Sequence, residues 1–159
     1  TSDKFDQIIN DLSTSYSTLK DVKIKIVQDN GIFIGKCDSQ SYGEYMHIGK
    51  MRYKNSITSC ITLLENDKNI MFTFFHEVTH AITPYYERKV KNSWIRMDHS
   101  DKFYKNFMDI MKYAYEKKYI LRTYTLTELK RRDNYKENVK SDRVRFTNSK
   151  CDKYCDCKK

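Results

Sequence analysis

His76, Glu77 and His80 stand in the run Phe74-Phe75-His76-Glu77-Val78-Thr79-His80-Ala81-Ile82-Thr83-Pro84. This run holds two of the chain's four histidines and its single proline. On a helix, residues four apart lie on one face, one turn apart. The two imidazoles can then grip one zinc ion at about 2.0–2.1 Å each. Glu77 follows the first imidazole on the adjoining flank of the helix. From there a carboxylate reaches an activated water without ligating the metal, which is the place of a general base. The competing reading is a pair of satisfied core histidines. It is the costlier one on a buried helix, because unbonded imidazoles pay for desolvation.

A catalytic zinc takes a third protein ligand and keeps one position open. The metzincin spacing would put Gly at 83 and His at 86, where the chain has Thr83 and Tyr86. Glu87 and Glu116 are open alternatives. His99 is the strongest candidate. Apart from His47 it is the remaining histidine, and it lies in Met97-Asp98-His99-Ser100-Asp101-Lys102-Phe103-Tyr104, just before an amphipathic helix. Asp98 and Asp101 flank it, either orienting an imidazole or standing as solvated acids.

The elements that must position these residues follow from periodicity. Phe5, Ile8, Ile9, Leu12, Tyr16 and Leu19 predict an amphipathic helix over residues 3–19. Val22, Ile24 and Ile26 alternate with lysines and predict a strand over 22–27. Asp29-Asn30-Gly31 is a turn signal, so a hairpin is expected with the Ile32–Gly35 stretch that follows. A third strand is expected in 45–53 and a fourth in 56–64. Asp67 or Asn69 can cap a buried helix running from about Ile70 to Thr83, which Pro84 stops. Residues 85–98 read as a loop. Ser100 is the expected N-cap of a third helix carrying Phe103, Phe107, Ile110, Met111, Ala114 and Tyr115 on one stripe. Residues 126–132 predict a short helix, and about the last 25 residues read as a loose, charged segment. The fold class is α+β: an N-terminal helix, a small, mainly antiparallel sheet, the His-Glu-x-x-His helix and one after it. Residues 1–125 form the domain and 126–159 a charged, cysteine-containing tail.

The chain has 159 residues and a formal net charge of +9, with thirteen tyrosines and eight phenylalanines. That supports one domain with one core rather than a disordered chain. The charge favours nucleic acid, acidic proteins or anionic surfaces, although lysine is also simply the common surface residue here. No spanning segment or secretory leader is visible, so no membrane and an intracellular place are expected. Five cysteines with three clustered at the tail, Cys151, Cys155 and Cys157, make no disulfide framework. Those three are a weak signal for a second metal, lacking a clear fourth ligand. The basic stretch over 130–145 is interleaved with acids and reads as a solvated face.

With these residues set out, the chain resembles the SprT and WLM group of zinc peptidases, which includes Spartan-type proteases of DNA–protein crosslinks. The resemblance rests on His76-Glu77-x-x-His80-Ala81 and on His99 followed closely by Phe103. It covers roughly residues 1–120. It departs in Ser100, where the family commonly has Gly, and in lacking the complete zinc ribbon of some relatives. The resemblance implies a compact zincin-like fold and one catalytic Zn²⁺ on His76, His80 and His99, with Glu77 as general base. It also implies a protein substrate and adds DNA as a partner. The substrate would pair with a sheet edge at residues 57–64. Tyr85, Tyr86, Trp94 and Tyr104 are candidates for an oxyanion donor or a cleft wall, and more often such rings are packing. The alternative is a nucleic-acid-binding or scaffold module with structural zinc, against which Glu77 argues.

Overall fold

Residue 61 sits at the centre of the sheet because Ile61 and Leu63 are fully buried and have strands on both sides. The structure, a computed structural model, describes residues 2–28 and 33–139. The Asp29-Asn30-Gly31 turn and Cys151, Cys155 and Cys157 lie outside the described residues. In chain order the elements are α1 (Ser2–Leu12), a 3₁₀ turn (Ser17–Leu19), β1 (Lys23–Val27), β2 (Gly35–Ile48), β3 (Met51–Leu64), α2 (Ile70–Ile82), β4 (Tyr85–Val90), β5 (Ser93–Met97), α3 (Asp101–Glu116) and α4 (Leu126–Val139). The chain is thus mixed α+β, with four α-helices and a five-stranded sheet among the described residues.

Helix α1 stops earlier than the apolar stripe predicts. The Ser13 and Thr14 hydroxyls donate to the carbonyls of Asn10 and Asp11, which lets side chains close the last turn. Leu19 still reaches the core, from the 3₁₀ turn instead.

β1 does not form a hairpin with β2. It runs parallel to β3, with Ile24 opposite Ile61 and Ile26 opposite Leu63. β2 runs antiparallel along the other side of β3. The reason is burial: Ile61 and Leu63 are covered only when apolar neighbours flank them on both sides. Residues 60–64 are therefore interior to the sheet, so of the edge expected at 57–64 only residues 57–59, which pair with β2 but with neither β1 nor β4, stay open on one side. The outer edge next to β3 belongs to β2, which pairs only with β3 among the described residues.

Residues 45–53 are not one strand but the tip of a long hairpin. Ile48 pairs with Met51 across Gly49-Lys50, and Gly49 has φ 58°, the left-handed conformation that a two-residue hairpin turn needs. β2 carries extra residues between Tyr42 and Met46, around Gly43 at φ 86°.

Residues 85–98 are a second hairpin rather than a loop. β4 pairs with both β3 and β5, and its turn passes through Lys91 at φ 57°. A backbone bond from Lys89 N–H to the Lys50 carbonyl (2.8 Å) ties the two hairpin ends together. Both faces of β4 mix charged and aromatic residues, Tyr85, Glu87 and Lys89 on one and Tyr86, Arg88 and Val90 on the other, so no clean alternation marks it.

α2 and α3 match their expected spans. Thr83 is extended, as the residue before Pro84 should be, and Ser100 caps α3 by accepting from the Phe103 N–H at 3.1 Å. α4 runs on to Val139, further than the short helix expected at 126–132. Thr125 and Glu128 form a capping box, each accepting from the other's N–H at 3.1 and 3.0 Å. Leu129 is fully buried in the common core, so the first turns of the expected tail pack on the domain.

Candidate metal centre

His76 and His80 sit on consecutive turns of α2, and His99 stands two residues before α3. The docking of α3 on α2 brings all three together. Their ring centroids form a near-equilateral triangle with sides of 5.0, 5.1 and 5.0 Å. One nitrogen from each ring lies within 4.8 Å of the other two, and the three histidines are the group of ligand-type side chains found converging among the described residues. The Nε2 atoms of His76 and His99 are 3.2 Å apart. Nitrogens at about 2.0–2.1 Å from a tetrahedral zinc stand about 3.3–3.4 Å from one another, so this spacing suits the ion.

Phe103 forms the floor. Its ring lies 5.2, 4.5 and 4.9 Å from those of His76, His80 and His99. Phe107 adds an edge contact to His76 at 5.4 Å. This aromatic wall keeps water from the back of the imidazoles and fixes their rings. Burial holds His76 well below the ordinary histidine range, with His99 and Arg132 adding to the effect. Burial does the same for His80, reinforced by His76, His99 and Arg96. Both imidazoles are therefore neutral near pH 7, and a neutral imidazole is the form that ligates a metal.

Glu77 is fully buried beside His76. Its side chain runs toward β2, where Gly35 leaves room for it. Gly35 carried no special signal in the sequence beyond ending an apolar stretch.

Glu87 and Glu116 are elsewhere. The Glu87 carboxylate accepts from Arg52 at 2.7 Å and from the Tyr85 hydroxyl at 3.0 Å. Glu116 is exposed at the end of α3. Asp98 pairs with Arg96, both side chains mostly buried, while Asp101 opens α3 in solvent, 3.7 Å from Lys130.

A cleft beside His80 is lined by Ser39, Ser41, Ser56, Thr83, Tyr85 and Arg96. Tyr85 is the one aromatic candidate whose hydroxyl is tied down there. Burial and its bond to Glu87 push it up to about 12, so it stays a protonated donor. Tyr86 stacks on Tyr53 at 5.4 Å and also lines the cleft, whereas Trp94 covers the Arg52 guanidinium at 4.1 Å and serves the hairpins. Tyr104 is buried, with its ring 6.2 Å from that of His99.

Arg52 lies between Tyr45 (3.7 Å) and Trp94, Lys54 covers Tyr45 at 4.4 Å, and Lys89 lies 5.7 Å from Trp94. This alternation of cations and rings stiffens the face of the hairpins on the cleft side. Sequence reading missed it because its members come from β2, β3, β4 and β5.

Compared with protein-family models, curated proteins and solved structures, the chain matches none of them.

Proposed function

We propose that this chain is a zinc-dependent endopeptidase of the SprT/WLM type with a zincin-like fold, acting on proteins held on or crosslinked to DNA. The observation that carries the reading is the triangle of His76, His80 and His99 with Glu77 beside it on the same helix. Three imidazole nitrogens at this spacing leave a fourth position for water or substrate, which a structural site would fill with a further Cys or His.

A zinc ion held there supplies Lewis acidity, making water acidic enough to lose a proton near neutral pH and polarising a peptide carbonyl. The protein's residues do the rest. His76, His80 and His99 hold the ion, and Phe103 keeps their rings in place. Glu77 takes the proton from the attacking water and hands it to the departing amine. Tyr85 lines the cleft with its hydroxyl donating to Glu87, so its role in this reading is that of a cleft wall.

The test is digestion of a protein substrate, with and without single-stranded DNA, comparing the native chain with Glu77→Gln. The reading expects bound zinc in both proteins and a loss of cleavage of about a hundredfold or more in Glu77→Gln. Stimulation by DNA supports the crosslink substrate, and cleavage indifferent to DNA leaves a general peptidase. No cleavage by zinc-loaded native protein assigns the chain to the alternative class, a binding or scaffold module.

A further inference from the structure

The outer face of the two joined hairpins is apolar and uncovered among the described residues. Residues opposite one another in register share a face. Met46 faces Tyr53, Ile48 faces Met51, Tyr86 faces Met97, and Val90 pairs with Ser93. Among the described residues, six of the nine exposed large hydrophobic side chains lie on this face: Tyr42, Met46, Ile48, Ile57, Val90 and Ile95. Single exposed apolar residues are ordinary, but a contiguous set marks an interaction surface. Nearer β1 the same face turns polar, with Lys23 opposite Cys60 and Lys36 opposite Thr62.

Two strongly exposed aliphatic residues lie toward the hairpin ends, Met46 at 56% and Ile48 at 61%. The stacked Tyr53–Tyr86 pair lies behind them. Exposed cations ring the ends: Lys50 and Lys91 in the turns, Arg88 on the face and Lys89 beside it. Among the hairpin residues the exposed acid is Glu44, since Glu87 is buried against Arg52.

We infer that this end of the sheet docks on an anionic lipid surface. Aliphatic side chains at the tip, tyrosines behind them and lysines around them match the layers of a bilayer interface, with acyl chains, the headgroup boundary and anionic headgroups in turn. The expectation of no membrane rested on the lack of a spanning segment. No helix of the described residues is long and apolar enough to cross a membrane, and a peripheral contact needs none. A second copy of the chain fits less well, because face-to-face pairing would bring two sets of turn cations together in a protein of net charge +9. Nucleic acid also fits less well, because aliphatic residues neither stack on bases nor pair with phosphates. The inference uses none of the metal-centre residues.

The experiment is co-sedimentation of the zinc-loaded full chain with vesicles of phosphatidylcholine alone or mixed with phosphatidylserine. The native chain should sediment with the mixed vesicles, less so as salt rises, and not with phosphatidylcholine alone. The double variant Ile48→Asp/Ile95→Asp should lose about tenfold or more in affinity while keeping its zinc and its circular dichroism. Lys50→Glu/Arg88→Glu, exposed charges whose exchange leaves packing intact, should lose a similar amount. The inference is overturned if mixed vesicles are not bound, or if both double variants bind within about twofold of the native chain. It is equally overturned if the native chain is a dimer that Ile48→Asp/Ile95→Asp dissociates, or if those variants lose single-stranded DNA while vesicles are never bound.

Discussion

Gly35 and Glu77 meet where β2 crosses α2: a methyl group on Gly35 would fall 3.0 Å from a Glu77 carboxylate oxygen and 2.6 Å from the Thr73 methyl. The second distance is closer than carbon atoms tolerate. Thr73 is itself anchored, its hydroxyl donating to Asp67 at 2.6 Å. Gly35→Ala must therefore push α2 away from β2 or turn Glu77 aside. The expected cost is about 1–3 kcal/mol of stability, as for other over-packed sites. If Glu77 is the base, cleavage should fall more than zinc affinity does. Chemical denaturation, zinc titration and a cleavage assay on one preparation read the three quantities. Unchanged cleavage and stability would show that the site absorbs the methyl group.

His99→Ala removes one corner of the imidazole triangle. Zinc affinity should drop at least about a hundredfold, more than the loss of a residue that merely orients a ligand. Glu87→Ala should keep its zinc, because Glu87 is engaged with Arg52 and Tyr85. Competition against a fluorescent chelator separates the two variants. Retained zinc in His99→Ala with lost zinc in Glu87→Ala would reverse the ligand assignment.

How much of this was legible in advance differs from element to element. α2 and α3 were, because their apolar stripes are long and their ends carry Pro84 and Ser100. The histidine triangle followed from these two helices alone. The order of the strands was not legible, because β1 meets β3 across more than thirty positions of chain and its alternation fits a parallel neighbour as well as a hairpin. β4 and β5 were missed because neither of their faces is simply buried or simply wet: one carries the Arg52 ladder and the other the exposed apolar patch. Gly35 was invisible for another reason. Its importance lies in what it lacks, and only the position of Glu77 shows it.

The imidazoles of His76, buried, and His80, half-buried, set a pH dependence for the metal-free protein. Burial lowers the pKa of His76 and His80 in the fold, while the unfolded chain keeps ordinary values near about 6.5. Below that pH the unfolded state binds more protons than the folded one, so acid favours unfolding. Stability should be flat above about pH 6.5 and fall as pH drops below it, until the folded-state imidazoles themselves protonate. Thermal unfolding of zinc-free protein across this range measures the trend. His80→Gln should make it shallower, leaving the share that His76 contributes. A stability that rises on acidification would contradict the neutral state of the pair.

α4 should prove part of the domain. Leu129 has no exposed surface, and the Arg132 guanidinium lies 4.2 Å from the Phe72 ring, one turn before His76 on α2. Leu129→Ala should cost about 2–5 kcal/mol, the range for emptying a packed core position. Thr125→Ala removes the N-cap and should cost about 1 kcal/mol. The two losses have different origins and should combine additively in the double variant to within about 0.5 kcal/mol, unless the cap sets the angle at which Leu129 enters the core. Urea denaturation of the three variants decides it. A Leu129→Ala loss near zero would mean that α4 contributes nothing to the core. A loss in the expected range, with zinc affinity also reduced, would show that α4 supports the imidazoles through Phe72.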